Sequence, residues 1–326
     1  MTFPKIGITL GDPGGIGPEI ILKALLFKNS LPKAHYILFG CSFLIEEEKK
    51  ALGLELDIQP LNKVETSDSP RLSLFEVKNP LKALKRGYPS RENGEASFLF
   101  FKEAIKAAKK GEIQCLVTAP ISKKSWSLAG LKWRGHTDYL SQFYPQAIMT
   151  FWSEKIKIAL FSSHLPLKVA LERVKKENLL DFFLSLHQCI EKIRPEKFRF
   201  IVAGLNPHAG ENGFLGSEET QEIIPAVKKA QEKGIKISGP FPPDIVFRES
   251  LSQPHKIVIA LYHDQGLIPF KLEAFERGVN LTLGLPYIRT SPDHGTAFDI
   301  AGQGKANPQS MLEAIKLAQA LSPASL

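Results

Sequence analysis

The chain of 326 residues has little cysteine and no long hydrophobic run. Its three cysteines (Cys41, Cys115 and Cys189) are an odd number without a close pair, which argues against a disulfide framework and a cysteine zinc site. A membrane-spanning helix needs about 18 consecutive apolar residues, whereas the apolar runs here have the length of a strand. The N-terminus also lacks the apolar stretch of a signal peptide. We therefore expect a cytoplasmic protein that does not enter a membrane.

The charge of the chain is moderately basic, with 42 Lys and Arg against 34 Asp and Glu and a formal charge of +8. Such a balance is compatible with nucleic acid, a membrane surface or an anionic substrate. Lysines and glutamates are mixed in the helical segments 102–110 and 172–177, which is typical of a solvated surface. Since no nucleic-acid-binding motif accompanies them, we do not expect nucleic acid as a partner.

Apolar runs of strand length alternate with helical patterns along most of the chain, which predicts an α/β fold with a largely parallel sheet. The length suggests two domains, at about 100–200 residues each. No linker marks a boundary, and we divide the chain into 1–118 with 280–326, and 119–279. The predicted strands are 5–10, 36–39, 113–117, 156–161, 198–203, 256–261 and 279–283, and the predicted helices are 18–27, 95–110, 179–193, 218–233 and 309–320.

Three histidines follow buried strands directly. His164 ends the segment KIALFSSH, His208 ends FRFIVAGLNPH and His263 ends KIVIALYH. In open parallel sheets the carboxyl ends of the strands form the ligand-binding edge. Three imidazoles are a known set of catalytic metal ligands that leaves one coordination position open. The pattern therefore predicts a site for one divalent ion (Zn, Mg, Co or Mn) on these three histidines.

A glycine-rich loop, GDPGGIGPE at 11–19, joins the first predicted strand to the first predicted helix. It lacks the Gly-x-Gly-x-x-Gly order of dinucleotide-binding loops, so on its residues alone it is either a tight turn or a weak phosphate cradle. Lys271, Asn280 and Arg289 follow one another closely in the C-terminal third. They could clamp a phosphate, or they could be ordinary surface side chains.

Several longer blocks occur in order along the chain: GITLGDPGGIGPE (7–19), TAPISK (118–123), GHTDYL (135–140), HLPL (164–167), GLNPHAGENG (204–213), GPFPPD (239–244), YHDQGLIPFK (262–271) and GVNLTLGLPYIRTSPDHGTAFDIAG (278–302). Together they resemble the 4-hydroxythreonine-4-phosphate dehydrogenase (PdxA) family of vitamin B6 synthesis. The resemblance implies a metal-dependent homodimer whose active site draws residues from both subunits. It also implies two α/β/α domains around a cleft, as in isocitrate and isopropylmalate dehydrogenases.

Carried over residue by residue, the resemblance places the metal ligands on the same three histidines. It implies substrate contacts at His136, Thr137, Lys271, Asn280 and Arg289. The general base stays open between Lys271 and Asp244. The expected partner is a small phosphorylated hydroxy acid.

The segment 294–308, HGTAFDIAGQGKANP, resembles the adenosine-binding loop of isocitrate and isopropylmalate dehydrogenases. This resemblance implies cofactor contacts at His294, Asp299 and Asn307. An acidic side chain such as Asp299 can bind both ribose hydroxyls and disfavours a 2′-phosphate. NAD is therefore the expected cofactor and NADP the alternative.

The implied reaction is the oxidation of 4-phosphohydroxy-L-threonine to a β-keto acid, which loses CO₂ to give 3-amino-2-oxopropyl phosphate for pyridoxal 5′-phosphate synthesis. Relatives that resemble this family oxidise D-threonate or D-erythronate 4-phosphate instead, and no residue separates these substrates. A metal-dependent hydrolase with a three-histidine site is a further alternative, which would have no use for the loop 294–308. A basic, non-catalytic binding protein is disfavoured by the ordered motifs.

Overall fold

The computed structural model describes residues 3–27, 29–64, 69–78, 81–194, 198–251, 253 and 255–322. The chain divides into two compact units, which we call unit 1 (Met1–Pro145 with Leu285–Leu326) and unit 2 (Gln146–Gly284). The sequence analysis divides the domains after residues 118 and 279, whereas the units divide after residues 145 and 284. Residues 119–145 are therefore in unit 1 and residues 280–284 in unit 2, the reverse of the division expected from the sequence. The segment 119–145 belongs to unit 1 because Trp126 and Leu140 are part of its hydrophobic core.

The regular elements alternate between strand and helix, and the prediction of an α/β fold is confirmed. In chain order they are β1 (Lys5–Thr9), α1 (Gly17–Leu26), β2 (His35–Gly40), α2 (Ser42–Leu52), β3 (Gln59–Leu61), β4 (Arg71–Glu76), α3 (Arg91–Lys109), β5 (Cys115–Thr118), α4 (Lys123–Leu128), α5 (His136–Ser141), β6 (Ile148–Trp152), β7 (Lys157–Leu160), α6 (Leu167–Glu172), α7 (Lys176–Ile193), β8 (Arg199–Ala203), α8 (Ile224–Glu232), β9 (Ile237–Phe241), α9 (Pro243–Leu251), β10 (Lys256–Ala260), α10 (His263–Ala274), β11 (Val279–Leu283), β12 (Ile288–Pro292) and α11 (Gln309–Ala320). A π-helical turn, Glu219–Ile223, leads into α8.

In unit 1 the strands follow the order β3-β4-β2-β1-β5-β12, and all their pairings are parallel. The central strands are continuous apolar runs because both of their faces are covered. The long helix α3 is capped at its N-terminus by Ser90, whose hydroxyl accepts a hydrogen bond from the backbone N–H of Asn93 at 3.1 Å. The parallel arrangement brings the carboxyl ends of β1, β5 and β12 side by side.

In unit 2 the strands follow the order β11-β6-β7-β10-β8-β9. The pairings of β6 with its two neighbours are antiparallel, and those among β7, β10, β8 and β9 are parallel. Phe151 on β6 and Phe270 on α10 meet in the core at a ring-centroid distance of 5.5 Å. The strands that precede the three predicted metal ligands, β7, β10 and β8, are therefore neighbours that run in the same direction.

No helix in the described part of the chain is both long and apolar enough to cross a membrane. The cytoplasmic location expected from the sequence stays a prediction.

Candidate active site

A buried arginine is the centre of a polar cluster in unit 1. Arg289 on β12 is 3% exposed, and its Nη2 donates a hydrogen bond to the hydroxyl of Thr118 at 2.7 Å. The side chains meet because β5 and β12 pair in parallel, with Arg289 opposite Leu116. Burial lowers the pKa of Arg289 to about 10, so the guanidinium stays charged at neutral pH. A buried guanidinium that also has a neutral N–H donor beside it is suited to binding an anion.

His136 is the second member of this cluster. Nη2 of Arg289 lies 3.3 Å from Nδ1 of His136, and since a guanidinium only donates, Nδ1 accepts and the ring proton is on Nε2. Burial, together with the charge of Arg289, lowers the pKa of His136 well below its usual range, so the ring is neutral. Nε2 is buried and has no hydrogen-bond partner among the described residues. His136 therefore offers a free N–H donor next to a guanidinium.

Packing holds the His136 ring in place. Its centroid lies 4.2 Å from that of Phe101 on α3 and 5.7 Å from that of Trp126 on α4. Thr137 follows it in the first turn of α5 and is half-buried. The structure thus brings together two of the substrate contacts expected from the sequence, Arg289 and His136, with Thr137 adjacent in the chain.

The remaining substrate and base candidates belong to unit 2. Lys271 on α10 is half-buried, and its Nζ lies 5.6 Å from the centroid of the Phe275 ring. Asn280 on β11 has a buried Oδ1 without a hydrogen-bond partner among the described residues. Asp244 is exposed in the first turn of α9.

Two of the predicted metal ligands lie next to each other at the ends of β7 and β10. The ring centroids of His164 and His263 are 5.6 Å apart and the rings are inclined by 38°. Nδ1 of His263 lies 2.7 Å from a carboxylate oxygen of Asp264, which can orient the ring. Both rings line an open cavity of about 280 Å³ together with Tyr262 and Ser163. Two imidazoles at this spacing suit two ligand positions of one divalent ion.

His208 does not join this pair. Its side chain is exposed in the turn that follows β8 (Pro207–Gly213), where residues 208–212 all have φ between 42° and 77°. These residues adopt the left-handed helical conformation one after another, which non-glycine residues rarely do. Within the described ranges, no group of three His, Cys, Asp or Glu side chains is close enough to hold a metal ion. The three-histidine site therefore stays a prediction, and the described residues of a single chain do not form it.

Two polar residues that the sequence analysis did not identify hold the loops of the predicted metal ligands. Gln265 accepts a hydrogen bond from the N–H of Leu261 and donates one to the carbonyl of Gly204, both at 2.7 Å. It therefore joins the end of β10 to the start of the His208 loop. The buried carboxylate of Glu219 accepts hydrogen bonds from the N–H groups of Leu205 and Asn206, also at 2.7 Å. In the sequence, Gln265 lies inside the block 262–271 and Glu219 follows the block 204–213, but nothing distinguishes either residue from the polar residues around it.

The segment 294–308 lies against the glycine-rich loop in unit 1. The N–H of Ile16 donates to the carbonyl of Thr296 at 2.9 Å, and a Cβ on Gly15 would come within 2.8 Å of Thr296. A glycine is therefore required at position 15 for close backbone approach. This contact with the segment 294–308 favours the tight-turn interpretation of the glycines over that of a phosphate cradle.

The three cofactor candidates, His294, Asp299 and Asn307, are exposed on this segment. The backbone carbonyl of Asp299 accepts a hydrogen bond from Gln303 at 2.7 Å, so its position is held while its carboxylate faces solvent. Oδ1 of Asn307 accepts from the N–H of Gln309 at 2.9 Å, at the start of α11. An exposed carboxylate and a fixed amide fit the ribose hydroxyls and base of an adenosine.

Comparisons with known proteins match most of the chain to proteins of one family. The family model described as pyridoxal phosphate biosynthetic protein PdxA matches residues 32–318. A 4-hydroxythreonine-4-phosphate dehydrogenase from Aquifex aeolicus is 43% identical over 97% of this chain and 98% of its own. A D-threonate 4-phosphate dehydrogenase from Salmonella typhimurium is 38% identical over 99% and 100%. The structure of a 4-hydroxythreonine-4-phosphate dehydrogenase from Klebsiella pneumoniae has a TM-score of 0.86 at 34% identity, covering 99% of both chains. The resemblance seen in the sequence blocks is confirmed.

Proposed function

Because this chain belongs to the PdxA family and is an oxidoreductase of the dehydrogenase type, we propose that it oxidises 4-phosphohydroxy-L-threonine with NAD as the hydride acceptor. The product is a β-keto acid, which loses CO₂ to give 3-amino-2-oxopropyl phosphate on the way to pyridoxal 5′-phosphate. The observation that carries the proposal is the buried pair Arg289 and His136, which offers a charged and a neutral donor to one anion.

The substrate phosphate is the anion that this pair fits best. A guanidinium binds phosphate oxygens through a rigid set of N–H donors, and Nε2–H of His136 adds a donor whose charge state does not change near neutral pH. Burial strengthens both hydrogen bonds because water is kept out. Thr137, Lys271 and Asn280 complete the proposed substrate contacts. Lys271 is our first candidate for the base, since its side chain is half-buried while that of Asp244 is exposed.

His164 and His263 are the proposed resident metal ligands of one chain. Held by these imidazoles, a divalent ion would supply a Lewis acid for the substrate alcohol, and a bound NAD would serve as the hydride acceptor. The third ligand, in this proposal, is the partner subunit's His208. This assignment is supported by the exposed position of the His208 loop in a single chain.

The homodimer that this arrangement needs is supported by an apolar stripe on α10 and the residue after it. Ile268, Leu272 and Phe275 are spaced as neighbours on one helix face and are 60%, 84% and 74% exposed. Exposed apolar patches of this kind mark protein–protein interfaces. The same helix begins at His263, so its burial against a second copy would bring that copy to the metal ligands.

NAD is the proposed cofactor because Asp299 presents an exposed carboxylate on the segment 294–308. A 2′-phosphate at this place would meet like charge. Lys305, which could offset that charge, donates its Nζ to the side chain of Gln303 at 3.1 Å. NADP is accordingly the weaker acceptor in this proposal.

D-Threonate or D-erythronate 4-phosphate is the second candidate substrate, and one comparison favours it. The D-threonate 4-phosphate dehydrogenase of Salmonella typhimurium is nearly as similar to this chain as the Aquifex enzyme, at 38% against 43% identity. D-Threonate and D-erythronate 4-phosphate carry the same phosphate and secondary alcohol, so the same cluster in unit 1 would bind them.

The test is the appearance of reduced nicotinamide absorbance with each of these substrates, NAD or NADP, and each candidate metal. The highest kcat/KM with 4-phosphohydroxy-L-threonine and NAD is the expected result. A higher value with a threonate or erythronate phosphate would replace the substrate but keep the chemistry. Release of inorganic phosphate without cofactor reduction would instead identify a metal-dependent hydrolase.

A further inference from the structure

An ion pair on α1 lies directly against the segment 294–308. Lys23 donates through Nζ to the carboxylate of Glu19 at 2.7 Å and to the backbone carbonyls of Gly304 and Ala306 at 2.7 and 3.0 Å. The same oxygen of Glu19 that accepts from Lys23 also accepts from the N–H of Ala306 at 2.8 Å. Two side chains one helical turn apart therefore bind three backbone groups near the other end of the chain.

The pair is not an ordinary surface salt bridge. The side chain of Glu19 is 1% exposed and that of Lys23 is 22% exposed. Exposed pairs of this spacing contribute little to stability, whereas a buried carboxylate must be matched by donors. Here the donors are Lys23 and the loop itself, so the loop and the pair depend on each other.

A second buried pair supports the same segment from the side. Arg86 donates to Glu48 at 2.7 Å, and Glu48 is 4% exposed. A Cβ on Gly302 would come within 2.5 Å of the Arg86 side chain, so the backbone at 302 lies on the stem of that arginine. Residues 301–308 contain no helix or strand in the structure. The backbone of this segment is therefore held by the side chains of Glu19, Lys23 and Arg86 rather than by hydrogen bonds of a helix or strand.

We propose that Glu19 and Lys23 are positioning residues for dinucleotide binding: they fix the backbone at 304–306 and so place Asn307 and Asp299 for the adenosine. The inference rests on the proposed function, in which this segment binds the nicotinamide cofactor. A loop that is ordered before the ligand arrives loses less conformational entropy on binding, and the affinity is correspondingly higher. Neither side chain touches the reacting atoms in this proposal.

The variants Lys23→Met and Glu19→Gln test it, with Lys49→Met as the matched control. Lys49 also forms a helical ion pair in unit 1, with Glu46 at 3.1 Å, and its side chain is 21% exposed, close to the value for Lys23. Glu19→Gln keeps an acceptor for the N–H of Ala306 but loses the charge that faces Lys23. It provides a second, milder variant if Lys23→Met does not fold.

The dissociation constant of NAD is measured by calorimetry on the metal-loaded enzyme, and amide hydrogen exchange of residues 301–307 is measured without cofactor. For Lys23→Met we expect affinity for NAD to fall about 10–100-fold, since hydrogen bonds from a charged donor to the loop are lost. We expect exchange in the loop to accelerate, while kcat at saturating NAD stays within about twofold and metal affinity does not change. Lys23→Arg should recover part of the affinity, and Lys49→Met should match the wild type.

Unchanged NAD affinity in a folded Lys23→Met enzyme would overturn the inference, as would an equal loss of NAD, substrate and metal binding. If the wild-type enzyme does not bind NAD, the proposed function is wrong. This result is distinguished from a failure of the positioning role alone, because it is obtained with the wild type before any variant is made.

Discussion

The two units hold their predicted site residues in opposite ways. In unit 1, Arg289 and His136 are 3% and 9% exposed and are fixed by hydrogen bonds and aromatic packing. In unit 2, His164 is exposed beside an open cavity, and His208 is exposed on a left-handed turn. The proposed anion site is thus preorganised by a hydrophobic core, whereas the proposed metal site would be assembled by the ion together with a second copy of the chain.

The contrast has a physical basis. The hydrogen bonds of a guanidinium to a phosphate are stronger where water is excluded, so a buried position favours this proposed role. Imidazole ligands must stay accessible to an ion that arrives from solvent, and the ion itself supplies the energy that orders them. Changes in the two units should therefore have separable effects.

The largest effect is expected from His263→Ala. This change removes one of the two adjacent imidazoles, so bound metal should be lost and turnover should fall by about a thousandfold or more. Metal content by mass spectrometry and the rate of NAD reduction are the measurements. His255→Ala is the matched control, because His255 is also exposed in unit 2 but lies before β10 rather than after it. Full metal content in His263→Ala would exclude that histidine as a ligand.

Arg289→Met should have the next largest effect. It should weaken the binding of substrate and leave the metal content unchanged. In this proposal Arg289 forms a buried charge pair with the substrate phosphate, and removing one partner of such a pair costs about 3–5 kcal/mol, so kcat/KM should fall about a hundredfold to a few thousandfold. Steady-state kinetics and metal content are measured together, with Arg277→Met, an exposed position in unit 2, as control. Loss of metal from a folded Arg289→Met enzyme would contradict the separation between the two units.

Gln265→Leu should weaken metal binding about 10–100-fold, as the loss of a group that orients a ligand generally does. The change leaves the N–H of Leu261 and the carbonyl of Gly204 without their partner. Gln231→Leu is a matched control, since Gln231 donates to the carbonyl of Ile237 at 2.8 Å elsewhere in unit 2. Both variants should lower the melting temperature, and only Gln265→Leu should lower metal affinity. Equal metal affinities would mean that Gln265 has a purely structural role.

The same contrast explains what the sequence could predict. Buried strands such as β7, β8 and β10 are predicted well because each is a short apolar run. The alternation of strand and helix along the chain predicts that these strands are parallel. It therefore also predicts that the histidines after them lie at the same edge of the sheet. Helix α10 was not predicted because it contains Pro269 and because apolar residues occur on more than one of its faces: Leu267 and Phe270 are buried, whereas Ile268 and Leu272 are exposed.

Other features of the site depend on contacts between distant residues and have no local signal. The turn at His208 places non-glycine residues such as Ala209 and Glu211 at positive φ, and the residues just before it are held by Glu219. No propensity predicts such a path. His136 lies in a short helix without periodicity, so only the family resemblance identified it, and its pairing with Arg289 required the packing of unit 1.

The smallest effect concerns acid stability, through a second buried histidine of unit 1. His35 on β2 accepts a hydrogen bond from Nε of Arg71 at 3.0 Å. Burial, then the charges of Arg71 and Lys5, lower the pKa of His35 to about 4. In the unfolded chain its pKa is about 6.5, so between these values the unfolded state binds more protons. The stability that His35 contributes is therefore complete above about pH 6.5 and is lost as the pH falls toward 4.

The expected loss from His35 is about 1–3 kcal/mol. It is measured as the difference in unfolding free energy between wild type and His35→Gln from pH 7.5 to pH 4.5 in steps, since carboxylates titrate equally in both proteins. Gln can still accept from Arg71 but cannot gain a proton, so the variant should lose less stability on acidification. Parallel curves for the two proteins would show that His35 is not held neutral. The contrast between the units would then depend on Arg289 and His136 alone.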